Sequence, residues 1–346
     1  VDRLYDILLD MNKKVIMNVE SVYTANSFLS GGRRYVAAGS ETTSEVYLYD
    51  MQSGTTELVG GCPGGVMSFV PVPGHPDLFY SIMALFPGFV GQEAGVFKHR
   101  RTSAGWKTER CMHLPFAHRC DVVAVGGENY LFAVSVSKFK SEPADWSNAS
   151  EIYVCKLDPD TGEPGEARLV DNTIFRNHGM LKVLKDGEEM IMVSGAEGIF
   201  SIEMTECGEW HMHRIFDHEV SEFGFVDFDG DGVDEMVTIE PFHGENFVIY
   251  KMIAGQWQQI HHGALSFGHG LSCGMLNGEA IAVVGNRRDS LALRKVHLED
   301  ASNWKFVEED IELGVGPTQT QVFEFDGKDY ILSADQKKNQ VVLYSE

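Results

Sequence analysis

At 346 residues and 43% hydrophobic content the chain can bury a large core, and its formal net charge of −23 argues against nucleic acid and anionic membrane as partners. It contains no apolar run of about 18 residues, which excludes a transmembrane helix. The N-terminal stretch VDRLYDILLDMNKKV carries charges inside its apolar run and no small-residue cleavage site, so no signal peptide is read and a cytoplasmic location is expected, although a trimmed chain would look the same. Cys62, Cys111, Cys120, Cys155, Cys207 and Cys273 are scattered without CxxC pairs and read as reduced residues.

Taken in order, the chain reads as short β-type runs in groups of four. Residues 19–60 hold YTANSFL, YVAAGS, EVYLYD and TTELVG, and residues 61–113 hold VMSFVPV, LFYSIMALF, AGVFKHR and WKTERCMH. Residues 114–171 hold CDVVAVG, YLFAVSV, EIYVCKLD and ARLVD, with an insertion at 138–150; residues 172–217 hold MLKVLKD, EMIMVSG, GIFSIEM and WHMHRIF. Residues 218–263 hold FGFVDF, EMVTIE, NFVIY and WQQIHH, and residues 264–314 hold LSCGML, AIAVVGN, LALRKVHL and WKFVEED. Residues 315–346 supply only three runs: TQTQVFEF, YILSAD and QVVLYS.

Trp210, Trp257 and Trp304 stand 47 residues apart, each after a turn and at the head of a polar-apolar run, and Trp106 repeats that context about two periods earlier. A period in the forties with four strands per unit predicts a β-propeller, here all-β with seven four-stranded blades in a single domain. The last blade lacks a strand, and residues 12–18 are expected to complete it, closing the ring and removing an exposed sheet edge. The first dozen residues read as either a short amphipathic helix or an outer strand.

In a propeller, the lead-in to each first strand and the connection from second to third strand open on the same face. The lead-ins carry Tyr23, then His118, His178, Glu222 and His269 in nearly the same register. Polar channel residues also serve simply to bond water, but three imidazoles and a carboxylate form a ligand set suited to Zn, Mn, Fe or Ni; without metal they form a general-base cluster. The second-to-third connections add Phe86 and Phe89, Lys138, Lys140 and Trp146, His243, Arg287 and Arg288, and Lys337. Arginine pairs with carboxylates and aromatic rings stack on sugars, so Arg288, Lys138, Lys140, Trp146, Phe86 and Phe89 are expected to bind substrate. His243, Tyr23 and Arg287 are the candidate catalytic residues.

A separate turn, DFDGDGVDE, places Asp227, Asp229, Asp231, the Val233 carbonyl and Glu235 at alternate positions of a tight, glycine-bearing loop. Oxygen ligands at that spacing predict a structural Ca²⁺ on the face opposite the histidines.

That loop and its flanking strands resemble the FG-GAP/VCBS repeat of integrin-like and bacterial propellers. The EPFHG connection and the GHG lead-in resemble the propeller of aldos-2-ulose dehydratase-type proteins and of the rhamnose–glucuronate polysaccharide lyases, although the cupin domains of the dehydratase are missing. The resemblance implies metal-assisted β-elimination on a small carbohydrate, a keto-sugar or uronic acid, with His118, His178, His269 and His243 at the site and Arg287 near the substrate's acid or keto group. A sugar isomerase or epimerase would share the first half of that chemistry, and a non-catalytic binding or scaffold propeller would use the same histidines structurally.

Overall fold

The computed structural model describes residues 11–60, 63–86, 91–185 and 187–346. The expectation for the first dozen residues lies, apart from Met11, Asn12 and the start of the strand they lead into, outside them. The described chain forms seven four-stranded antiparallel sheets, the blades of a seven-bladed β-propeller. Blades 1 to 6 take their strands in sequence order, over residues 22–58, 68–113, 117–171, 180–216, 222–264 and 268–312. Blade 7 takes three strands from residues 317–345 and its outermost from Asn12–Asn18, which pairs antiparallel with Gln340–Ser345. This is the expected closure.

The chain divides into two compact units, residues 19–221 with blades 1 to 4, and residues 222–346 with the N-terminal strand, carrying blades 5 to 7. Within each, the first strands of successive blades lie against one another. Second strands such as Glu128–Ser135 and Glu279–Asn286 end in unbroken buried runs, because neighbouring blades cover both of their faces. Fourth strands such as Gln256–Ala264 alternate instead, with one side in solvent.

The tryptophans that mark the period each stand at the start of a fourth strand, and three of them help join neighbouring blades. Trp106 packs on a cluster shared by blades 1 and 2, Trp210 on one shared by blades 3 and 4, and Trp304 on one shared by blades 5 and 6. The repeat seen in the sequence is therefore a repeat of interblade contacts. The five described cysteines are free. Among the described residues no helix is long and apolar enough to cross a membrane.

Candidate functional site

The lead-ins share one backbone device. Ser21, Gly65, Phe116, Arg176, Phe267 and Gly316 all adopt positive φ, between 47° and 66°. Two residues later stand Tyr23, Met67, His118, His178, His269 and Thr318. The left-handed conformation costs a non-glycine residue about 1–2 kcal/mol, so its recurrence at Ser21, Phe116, Arg176 and Phe267 marks a position held by its surroundings.

A bulge follows the turn. Strand pairing skips between Val22 and Thr24, between Ala117 and Arg119, between Gly268 and Leu271, and between Pro317 and Thr320. Tyr23, His118, His269 and Thr318 thus drop out of the ladder. In blade 4 the amide of His178 donates to the Ser194 carbonyl while the Ser194 amide donates to Gly179, again setting two residues against one. Bulges re-aim side chains, which explains how equivalent residues of several blades can serve one face. Glu222 differs: it is half-buried and pairs regularly with Ile239.

Within residues 19–221, three of the expected residues meet. The Tyr23 hydroxyl lies 3.4 Å from His118 Nε2, and the His118 and His178 rings are 4.4 Å apart between centroids. All three are buried, with Tyr23 5%, His118 3% and His178 2% exposed. Arg119 reaches the His178 carbonyl at 3.4 Å.

Within residues 222–346, His243 and His269 stack with ring centroids 5.2 Å apart. His243 also stacks on Phe242 at 4.0 Å and meets Phe267 at 4.6 Å with the rings tilted by 33°, and it has a positive φ of 48°. The Arg288 guanidinium lies over the Phe267 ring, 4.6 Å from its centre. His269 Nδ1 lies 2.7 Å from the Thr318 carbonyl. A carbonyl only accepts, so Nδ1 carries the proton and Nε2 the lone pair, the form in which imidazole binds a metal or takes a proton. Arg287 donates to Gln336, on the next blade's second-to-third connection.

The remaining expected residues are less uniform. Lys138 is exposed and lies 3.8 Å from Glu151. Lys140 is buried, its ammonium 2.9 Å from the centre of the Trp146 ring, so it is not on an open rim as the sequence reading has it. Burial pushes its pKa down to about 8 against the pull of Asp145. Phe86 packs on the core cluster of blades 2 and 3, and Phe89 lies outside the described residues. Phe242, Phe267 and Thr318 carry no role in the sequence reading, although Phe116-Ala-His118 and Phe267-Gly-His269 repeat one Phe-x-His pattern on the lead-ins of blades 3 and 6.

In the acidic loop, Asp227 accepts from the amides of Gly230, Asp231 and Gly232 at 2.7, 3.2 and 2.8 Å. Asp229, Asp231 and Glu235 turn toward the ammonium of Lys251 in the third strand. Val233 is exposed.

No protein-family profile and no curated protein matches the sequence. Solved structures do match across nearly the whole chain. A Bacteroides uniformis protein described as a candidate 6-phosphogluconolactonase aligns with a TM-score of 0.54 at 12% identity, covering 86% of each chain. The Dos1 propeller aligns at 0.55 and 9% identity over 93% of this chain and 78% of its own, and U3-55K at 0.59 and 7% identity over 96% and 98%. At these identities the likeness is one of fold, and it defines the class: a seven-bladed β-propeller, here with imidazoles on bulged lead-ins.

Proposed function

We propose that the chain is a carbohydrate-active lyase or dehydratase that performs β-elimination on a keto-sugar or uronic acid, the activity implied by the resemblance of its EPFHG and GHG strings. The observation that carries this reading is His269: bulged out of its strand, fixed by the Thr318 carbonyl with its lone pair on Nε2, and stacked on the strained His243. Such over-determined imidazoles suit ligand or base work. The 6-phosphogluconolactonase-like neighbour adds a sugar-handling precedent on the same fold.

In this proposal, the lead-ins would hold a divalent transition metal, with His118 and His178 as the candidate ligands in residues 19–221 and Glu222 and His269 as those in residues 222–346. The chemistry such a metal would supply there is polarisation of a carbonyl or carboxylate oxygen of the sugar. His243 or Tyr23 takes the α-proton, the electron pair of that C–H bond forms the new double bond, and the β-oxygen leaves with the C–O pair and is protonated by the conjugate acid of that base. Arg287 and Arg288 pair with the substrate's acid or keto oxygen, and Phe267 holds Arg288 in position.

One observation favours a non-catalytic binding propeller instead: His118, His178 and His269 are only 3%, 2% and 1% exposed, as structural histidines are. Elemental analysis before and after chelator dialysis separates the two, followed by a screen of keto-sugars and uronic acids for an unsaturated product. Tightly held transition metal that disappears in His178→Ala and His269→Ala, together with turnover, is the expected result. Folded variants with unchanged metal content, or a wild type with neither metal nor turnover, would leave the binding reading in its place.

A further inference from the structure

The aspartate-rich loop between the first two strands of blade 5 has the ligand spacing of a calcium turn, yet its oxygens already have a cation. Lys251 Nζ lies 2.9 Å from Asp229 Oδ2, 2.9 Å from Asp231 Oδ2 and 2.6 Å from Glu235 Oε1. An ammonium has three N–H donors, and each meets one carboxylate. The second oxygens are used by the loop's own backbone: Asp231 Oδ1 accepts from Val233 at 2.9 Å, Asp229 Oδ1 from Asp231 at 3.2 Å, and Glu235 Oε2 from Phe228 at 2.8 Å.

The lysine is built in rather than draped over the turn. It stands in the third strand, Asn246–Ile253, with its side chain 12% exposed and its ammonium 5.1 Å from the centre of the Trp304 ring. Glu235 beneath it is fully buried. Asp227, Asp229 and Glu235 bring oxygens within 4.8 Å of one another, the spacing a cation requires.

We propose that Lys251 is a tethered replacement for the calcium ion, so that the turn is ordered without metal and becomes a divalent-cation site only when the lysine is removed. Three short contacts to one ammonium hold the same oxygens that an ion would have to collect, and Lys251 cannot leave without exposing Glu235 to an uncompensated buried charge. This reading is independent of the histidine site and of any catalytic role.

The experiment is a thermal-unfolding series of wild type, Lys251→Met and Lys251→Gln with millimolar calcium or with chelator, together with calcium titration calorimetry. Wild type should unfold at the same temperature in both and show no binding heat, while the variants should unfold earlier in chelator, recover with calcium and bind it with a Kd of about 10⁻⁴ M, as weak extracellular calcium modules do. A chelator-sensitive, calcium-binding wild type overturns the proposal, and so do folded variants that ignore calcium. Variants that fail to fold even with calcium overturn it too, because an ion that can take the lysine's place would restore the turn.

Discussion

His269 donates its Nδ1 proton to the main-chain carbonyl of Thr318, 2.7 Å away on the lead-in of the next blade. Both residues sit in bulges, so an irregularity in one blade fixes the tautomer of a histidine in its neighbour. A hydrogen bond to the distal ring nitrogen is the usual way a protein orients a ligating or basic imidazole.

Replacing that imidazole tests the arrangement directly. His269→Gln keeps a polar group near Thr318 but removes the basic nitrogen, and should cost at least about 100-fold in kcat for the proposed elimination while leaving the fold intact. His269→Ala should cost as much and also lower stability, because the column formed by His243 and Phe267 loses a face. Equal activity in His269→Gln and wild type would remove His269 from the chemistry.

Asp335 gives the chain a pH signature. Its carboxyl is buried, and burial raises its pKa to about 6, against hydrogen bonds from Ser333 and Tyr344 that favour the charged form. A raised folded pKa means the native state holds the proton more tightly, so this group's stabilisation is complete below about pH 4 and is lost as pH rises through about 6. Over two units the loss is about 3 kcal/mol. His99 acts oppositely. Burial lowers its pKa to about 3, so its contribution is lost as pH falls below the ordinary histidine value toward that figure. In Asp335→Asn the Asp335 limb should disappear, so the stability difference from wild type, measured by urea unfolding, should change by about 3 kcal/mol between pH 4 and 7. A difference that stays constant across that range counts against the assignment.

Trp210 meets Phe132 edge-on at 4.9 Å and Tyr130 at 5.2 Å, both residues of the preceding blade. Truncation to alanine should therefore cost about 3 kcal/mol, the lower end for a large aromatic because the ring is only partly buried, and Trp210→Phe should recover part of it. Urea unfolding with an unchanged m-value would confirm a packing loss; a cost below about 0.5 kcal/mol would mean the repeat tryptophan is ornamental at this blade.

The propeller was readable from the chain because its signals are local and repeated: a tryptophan at the head of four of the outer strands, alternating apolar runs, and a last blade short of one strand that residues 12–18 complete. The register of Tyr23, His118, His178 and His269 was readable for the same reason, since each stands two residues after a turn of one kind. Glu222, which follows no such turn, pairs regularly where the others bulge, so equal spacing in sequence did not make it equivalent in space. What only the tertiary structure decided are contacts between residues far apart in the chain. Lys251 enters the aspartate loop because antiparallel pairing sets the third strand beside the second, and nothing in DFDGDGVDE announces it. Lys140 reads as a rim charge but folds onto Trp146 out of solvent, and Phe267, given no role in the sequence reading, contacts both Arg288 and His243. Periodicity reports where the backbone goes; the partner of a long side chain depends on which strand the fold brings alongside, and that is written across the whole chain rather than in any one stretch of it.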